Sequence, residues 1–154
     1  MIAGLLYVFF ALLTASAAFA QASPQICPTA GEYVDCNKTD PRSLPIRVVT
    51  GRVVEETGDP EKKERPLKEA CILLFTENEH KLVASMTADD KGHFIFDKIK
   101  SGLYRLVVRH PQNTSSMANG RIHVYPRGQG PVPKSIGLVI HFSSTDSCGT
   151  VTRE

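Results

Sequence analysis

Four cysteines, Cys27, Cys36, Cys71 and Cys148, have the clearest chemistry in this chain of 154 residues. An even number of cysteines in a short exported chain is typical of disulfides, and four cysteines allow three connectivities. We favour Cys27 with Cys36, which closes a small loop ahead of the domain, and Cys71 with Cys148, which ties an early strand to the C-terminal segment. A metal site is the alternative, but the first two cysteines are too far apart for a C-x-x-C knuckle.

The histidines show no spacing that predicts a shared site, because neither H-E-x-x-H nor H-x-H occurs among them. We predict turn or outward-facing positions for them: His80, His93, His110, His123 and His141. A Cys71 nucleophile with a histidine partner is less favoured than a disulfide. Asp89-Asp90-Lys91-Gly92 lacks the alternating acidic ligands of an EF-hand, so it is interpreted as a turn. The sequence therefore predicts no catalytic residue, no cofactor and no metal ligand.

Composition predicts one small domain with many turns. The chain has 18 basic and 16 acidic residues, so its charge is nearly balanced and no nucleic-acid partner is expected. Hydrophobic residues make up 42%, and 11 Gly and 10 Pro favour short strands over long helices.

Residues 1–20 have the pattern of a secretory signal peptide. An apolar run from Leu5 to Leu13 is followed by Ala18-Phe19-Ala20, which fits an A-x-A cleavage site before Gln21. The segment has no Lys or Arg ahead of the apolar run, so an uncleaved membrane anchor is the alternative. We predict a secreted or periplasmic protein with no stable membrane span after cleavage.

The rest of the chain divides into an irregular arm at 21–45, a domain at 46–142 and a C-terminal tail at 143–154. Period-two alternation and turn residues predict seven short strands within the domain. These strands cover about 46–55, 70–75, 81–88, 93–97, 104–109, 121–125 and 136–142. Residues 56–66 and 111–120 are predicted to be polar loops.

A hairpin around residues 86–104 is predicted to organise the domain. Asp89 and Gly92 supply its turn chemistry, and Phe94 and Phe96 share the face that points into the core. Gly102 makes the next turn, Tyr104 and Ala70 face the core, and Gly51 permits close packing. We expect the hairpin to serve folding, with Asp90 and His93 pointing outward.

These segments together resemble the carboxypeptidase regulatory-like domain. The similar stretches are Thr50–Val54, Pro66 with Ala70–Leu74, Thr87–Phe96 and Ile99–Leu106. The resemblance covers about residues 46–142 and implies an all-β fold, a seven-stranded antiparallel Greek-key β-sandwich of the transthyretin-like type.

Two related enzyme families share that type of sandwich. The transthyretin-like hydrolases of purine breakdown end in Tyr-Arg-Gly-Ser, whereas this chain ends in Gly149-Thr150-Val151-Thr152-Arg153-Glu154. Intradiol dioxygenases bind iron through two Tyr and two His, but Tyr104 is assigned to the core, and Tyr33 and Tyr125 lack a matching neighbourhood. Neither activity is predicted from these residues.

The favoured prediction is therefore a non-catalytic exported module that contacts a protein or a cell-envelope polysaccharide. Its contacts would come from the loops at 56–66 and 111–120, or from an exposed strip of Arg105, Arg109 and Arg121. The alternative is a cryptic hydrolase or metal-dependent enzyme, which would require His, Asp and Cys side chains to converge in a pocket.

Overall fold

The computed structural model describes Cys27, Cys36 and residues 42–113, 115–129, 137–143 and 148–154. Every regular element in these ranges is a β-strand, which confirms the all-β class. The strands are β1 (Leu44–Ile46), β2 (Val49–Glu56), β3 (Glu64–Pro66), β4 (Cys71–Thr76), β5 (Leu82–Thr87), β6 (His93–Phe96), β7 (Gly102–Arg109), β8 (Met117–Val124), β9 (Leu138–Phe142) and β10 (Cys148–Arg153).

Some predictions concern segments outside the described residues. The signal peptide at 1–20 and most of the arm at 21–45 belong to them, as does Ile136 at the start of the last predicted strand. Within the described ranges, no helix is long and apolar enough to cross a bilayer.

The ten strands form one curled, mixed sheet in the order β3-β2-β9-β10-β8-β7-β4-β5, with β6 paired to β2 and β1 paired to β8. Three pairings are parallel, namely β1 with β8, β10 with β8 and β2 with β9. The prediction of seven purely antiparallel strands is thus too simple. Short strands such as β1 and β3 carry too few residues for a period-two pattern to be recognised.

Strand β8 begins inside the segment that we predicted to be a polar loop. Its first residues, Met117 to Gly120, are buried although Asn119 and Gly120 are typical loop residues. A Cβ at Gly120 would lie 2.8 Å from Val151 Cβ, so the residue allows β10 to pack closely on β8. Strand β10 itself occupies the segment expected to be a tail.

The core lies inside the curl and is aliphatic with a few aromatic side chains. Ile46, Ile72, Leu106 and Phe142 are among its largest fully buried members, and each such side chain contributes about 1.5–3 kcal/mol through burial. Phe94 and Phe96 are buried on one face of β6, while His93 and Ile95 on the other face are exposed.

The disulfides join the arm to the sheet, and the predicted connectivity is wrong. Cys27 bonds Cys71 on β4, and Cys36 bonds Cys148 on β10. The outer face of β4 explains the first bond, because Leu73 and Val107 form a second apolar cluster there that includes Cys27. Apolar side chains on both faces of β4 need cover, and on the outside Cys27 contributes to it.

Candidate functional site

The turn between β5 and β6 places an ionised carboxylate next to a histidine. Asp89 Oδ1 accepts hydrogen bonds from the backbone N–H of His93 at 2.7 Å and of Lys91 at 2.9 Å. The amide of His93 and, to a smaller degree, that of Lys91 hold the pKa of Asp89 below its ordinary value. The other carboxylate oxygen, Oδ2, lies 3.9 Å from His93 Nδ1. The turn therefore fixes a negative charge beside an imidazole.

His93 borders an open cleft of about 530 Å³ between β2, β5 and β6. This volume falls within the roughly 300–1,000 Å³ of ordinary small-molecule sites. The side chain of Arg52 also borders the cleft, because Arg52 lies directly opposite His93 in the β2–β6 ladder. Arg52 Nε is 3.4 Å from Glu154 Oε1, and Thr50 donates its hydroxyl hydrogen to the carbonyl of Phe94.

His110 has a different role, although it also contacts a carboxylate. Its Nδ1 accepts hydrogen bonds from the backbone N–H groups of Gln112 and Asn113, at 3.1 and 3.0 Å. A backbone N–H can only donate, so Nδ1 is the acceptor nitrogen of the ring and Nε2 donates to Glu55 Oε1 at 3.1 Å. Both ring nitrogens are used within the protein. His110 therefore anchors the loop after β7 and is not available as a base.

Glu55 sits between His110 and Arg65. Burial raises the pKa of Glu55, but hydrogen bonds from Arg65 and His110 outweigh it, and the net pKa lies below the ordinary value. Arg65 Nε donates to Glu55 Oε2 at 2.8 Å across the β2–β3 pair. Glu55 therefore links β2 to β3 through Arg65, and to the loop after β7 through His110.

The other three histidines are placed at turns or beside neighbouring side chains. His141 Nδ1 lies 3.1 Å from Glu64 Oε1 on the rim of the sheet, and the His123 ring stacks on Tyr125 with centroids 4.0 Å apart. His80 has a positive φ of 49° in the turn after β4. Among the five histidines, His93 is the one that combines a neighbouring carboxylate, a guanidinium across the ladder and a cleft.

The arginine strip is not the exposed surface that the sequence suggested. Arg105 Nη2 donates to Glu77 Oε1 at 3.3 Å, and Arg121 Nε lies 2.8 Å from the same oxygen. The side chains of Arg105 and Glu77 are only 12% and 14% exposed, and Arg109 is half-buried. Arg105 and Arg121 face each other across β7 and β8, and the carboxylate between them relieves their repulsion.

The remaining predicted residues lie at turns or in the core. Asp89 and Gly92 make the β5–β6 turn, and Gly92 has a φ of 76°. Tyr104 is buried and donates its hydroxyl hydrogen to the carbonyl of Lys100. The sequence analysis did not find Arg52 or Glu154 as partners of the cleft. Arg52 was placed on the first predicted strand and Glu154 in the C-terminal tail, but the pairing register that brings Arg52 to His93 has no local sequence signal.

Comparison with known proteins gives solved structures but no sequence relatives. No protein-family profile matches the chain, and no curated protein matches it. A 5-hydroxyisourate hydrolase of Klebsiella pneumoniae matches with a TM-score of 0.48 and 12% identity, over 71% of this chain and 99% of the hydrolase. An (S)-allantoin synthase matches with a TM-score of 0.39 and 12% identity, over 69% of this chain. The match spans 44% of the synthase.

Both of these proteins have a transthyretin-like fold, as the resemblance implied, and both are enzymes. The prediction of a non-catalytic module is therefore corrected. The similarity is too low to assign a reaction to this chain. Since no family profile matches, the resemblance to the carboxypeptidase regulatory-like domain has no support from a profile.

Proposed function

We propose that the protein is a hydrolase that activates water with His93 in the cleft between β2, β5 and β6. The observation that carries this proposal is the position of the His93 imidazole, 3.9 Å from an ionised carboxylate, with Arg52 as the cross-strand neighbour of His93 at the cleft. A histidine next to an orienting carboxylate is a frequent general base in hydrolysis.

Each of the three side chains has a distinct part in the reaction. His93 accepts a proton from water as the water oxygen adds to a carbonyl carbon, and Asp89 stabilises the imidazolium that forms. The positive charge of Arg52 favours the oxyanion of the tetrahedral intermediate. His93 then returns the proton to the leaving group, so the imidazole is regenerated. The catalytic residues are His93 and Arg52, and Asp89 is a positioning residue.

The test is ester hydrolysis with p-nitrophenyl acetate as the probe. We expect saturable hydrolysis, a loss of about a hundredfold in kcat/KM for His93→Ala, and a smaller loss for Asp89→Asn. Asn retains a side-chain oxygen that can cap the turn, so Asp89→Asn tests the charge more than the fold. Because His93 is exposed, its replacement should change stability by only about half a kcal/mol.

His80→Ala is the matched control, since His80 is an exposed turn histidine remote from the cleft lining. It measures the background that any surface imidazole contributes to ester cleavage. Equal losses for His80→Ala and His93→Ala, or a rate that never saturates, would show that no catalytic site exists in this cleft.

We further propose that the chain is exported through the segment at 1–20, and that the arm at 21–45 precedes a carboxypeptidase regulatory-like sandwich at 46–142. Two disulfides support export, since such bonds persist in oxidising compartments. Because β10 pairs with β9 and β8, the folded unit would extend to Arg153.

Export predicts a mature chain that begins near Gln21 or Ser23. Mass spectrometry of the extracellular or periplasmic fraction measures this start directly. A chain that retains Met1 in the membrane fraction would contradict cleavage and would favour the anchor instead.

A further inference from the structure

The face of β6 that carries His93 also carries an exposed apolar side chain. Ile95 lies two residues further along the strand, on the same face, and is 51% exposed. Single exposed apolar residues are common on protein surfaces and need no function. Ile95 differs from such a residue in its position, because it lines the same cleft as His93. An apolar group on a substrate held at His93 would therefore contact Ile95.

The β2–β6 ladder separates charged from apolar side chains along the cleft. Arg52 is paired with His93, and Thr50 is paired with Ile95 in the next pair on this face. The two pairs are separated by two residues of strand, which is about 7 Å. The Thr50 hydroxyl donates its hydrogen to the carbonyl of Phe94 at 3.0 Å, so that hydrogen is used within the protein. The pair with Ile95 is thus the less polar of the two.

The carboxylate of Glu154 also lines the cleft, but it lies across β2 from Ile95. Strand β9 pairs with β2 at Gly51 and Arg52, where β6 pairs with β2 as well, so β6 and β9 lie on opposite edges of β2. Glu154 belongs to the β9 side, because its N–H donates to the carbonyl of Gly137, directly before β9. The negative charge is therefore separated from Ile95 by the width of a strand.

Strand β5 adds a second apolar side chain to the lining. Met86 and Thr87 line the cleft from this strand, and Met86 is half-buried against the core. A methionine side chain is flexible and fills irregular apolar space. Ile95 and Met86 thus give one cleft apolar surface from two different strands, next to the histidine and the arginine.

We propose that Ile95 binds the apolar acyl chain of the ester, so that the enzyme prefers acyl chains of about four to six carbons over acetate. The inference rests on the proposed hydrolysis at His93 and names the substrate class of that site. A chain of a few carbons spans the distance of about 7 Å from His93 to Ile95. The methyl group of acetate ends beside the reacting carbon and does not reach it.

The test compares p-nitrophenyl acetate, butyrate and hexanoate as substrates of the intact, oxidised protein. Each hydrolysis breaks the bond between the carbonyl carbon and the phenol oxygen and releases the acid and p-nitrophenol. Full burial of one methylene raises kcat/KM about fourfold. The open cleft shields only part of the chain, so we expect a total gain of about tenfold from acetate to hexanoate, mainly through a lower KM.

Two variants make this preference specific to Ile95. Ile95→Ala should lower the hexanoate-to-acetate ratio of kcat/KM to about three or less, because the apolar contact is lost. Leu103→Ala is the matched control, since Leu103 on β7 is 44% exposed and does not line the cleft. It should leave the ratio at the value of the parent protein. Both residues are exposed, so both variants should fold.

Binding of hexanamide to His93→Ala measures the apolar contact without the reaction. Hexanamide carries the same chain but is not an ester, and nuclear magnetic resonance titration detects weak binding. We expect saturable shifts of the Ile95 and Met86 signals with hexanamide, and at least about tenfold weaker binding of acetamide. Adding Ile95→Ala to this variant should abolish the difference between the two amides.

The outcomes separate this inference from the proposed reaction. If His93-dependent hydrolysis saturates but Ile95→Ala leaves the chain-length ratio unchanged, or Leu103→Ala lowers it equally, the acyl site is wrong and the reaction stands. If no ester is hydrolysed saturably, the reaction is wrong, and hexanamide decides whether the cleft binds apolar chains. Hexanamide binding that is absent, or that Ile95→Ala does not weaken, would overturn the inference.

Discussion

Replacing Cys36 and Cys148 by alanine should destabilise the protein by about 5 kcal/mol. This bond closes a loop with a sequence separation of 112 residues, and the chain-entropy estimate for a loop of that size is about 5 kcal/mol. Small domains have total stabilities of about 5–15 kcal/mol, so the loss is a large fraction of the whole. We expect the melting temperature to fall by roughly 15–30 °C.

The double variant Cys27→Ala and Cys71→Ala is the comparison. It separates the loss of a cross-link from the loss of buried packing. Its loop separation is 44, for which the same estimate gives about 4 kcal/mol. This pair also removes sulfur atoms from the buried cluster with Leu73 and Val107. Alanine is used because a serine hydroxyl in that apolar cluster would add a cost of its own. Thermal melts of the two double variants measure both contributions.

Peptide mapping without reduction tests the connectivity itself. Trypsin has no cleavage site between Cys27 and Cys36, so both stay in the peptide that ends at Lys38. The structure predicts that this peptide is linked to two others, one with Cys71 and one with Cys148. The connectivity favoured from the sequence would give two separate species instead, and a second cut after Glu32 assigns each bond.

The sequence predicted the local features of the fold better than its long-range pairings. Period-two alternation placed Phe94 and Phe96 inward on β6, because that pattern depends on neighbouring residues alone. The parallel pairing of β2 with β9 joins residues such as Gly51 and Leu138, which are distant in sequence. No local pattern specifies such a register. The disulfide pairs likewise join residues that are distant in sequence, and no local pattern specifies them.

The same limit applied to the candidate site. Asp89 was recognised as a turn residue from its neighbours, and His93 as outward-facing from the alternation. Arg52 from β2 and Glu154 both line the cleft, and only the folded sheet brings them together. The prediction of an exposed strip with Arg105 and Arg121 had the opposite weakness. The alternation placed both side chains on the outer face of the sheet, but no local pattern indicated that Glu77 pairs with both of them there.

Gly92→Ala should destabilise the protein by about 3 kcal/mol, through two separable effects. Its φ of 76° lies in the left-handed region, where a residue with a Cβ costs about 1–2 kcal/mol. An added Cβ would also meet the carbonyl oxygen of Val53. That oxygen accepts the N–H of Leu67, and the N–H of Val53 donates to Gly92. The turn therefore cannot move away from β2 without breaking hydrogen bonds, and relieving the overlap adds about 1–3 kcal/mol.

Gly58→Ala is the matched control for this variant. Gly58 has nearly the same backbone angle, with a φ of 73°, but a Cβ there would meet no atom within 4 Å. Gly58→Ala should lower the free energy of unfolding by only about 1–2 kcal/mol, the cost of a residue with a Cβ in the left-handed region. Urea denaturation of both variants, with slopes equal to that of the parent, gives the difference directly. Equal losses would mean that the hairpin is free to shift relative to β2, and the rigid placement of His93 opposite Arg52 would then be wrong.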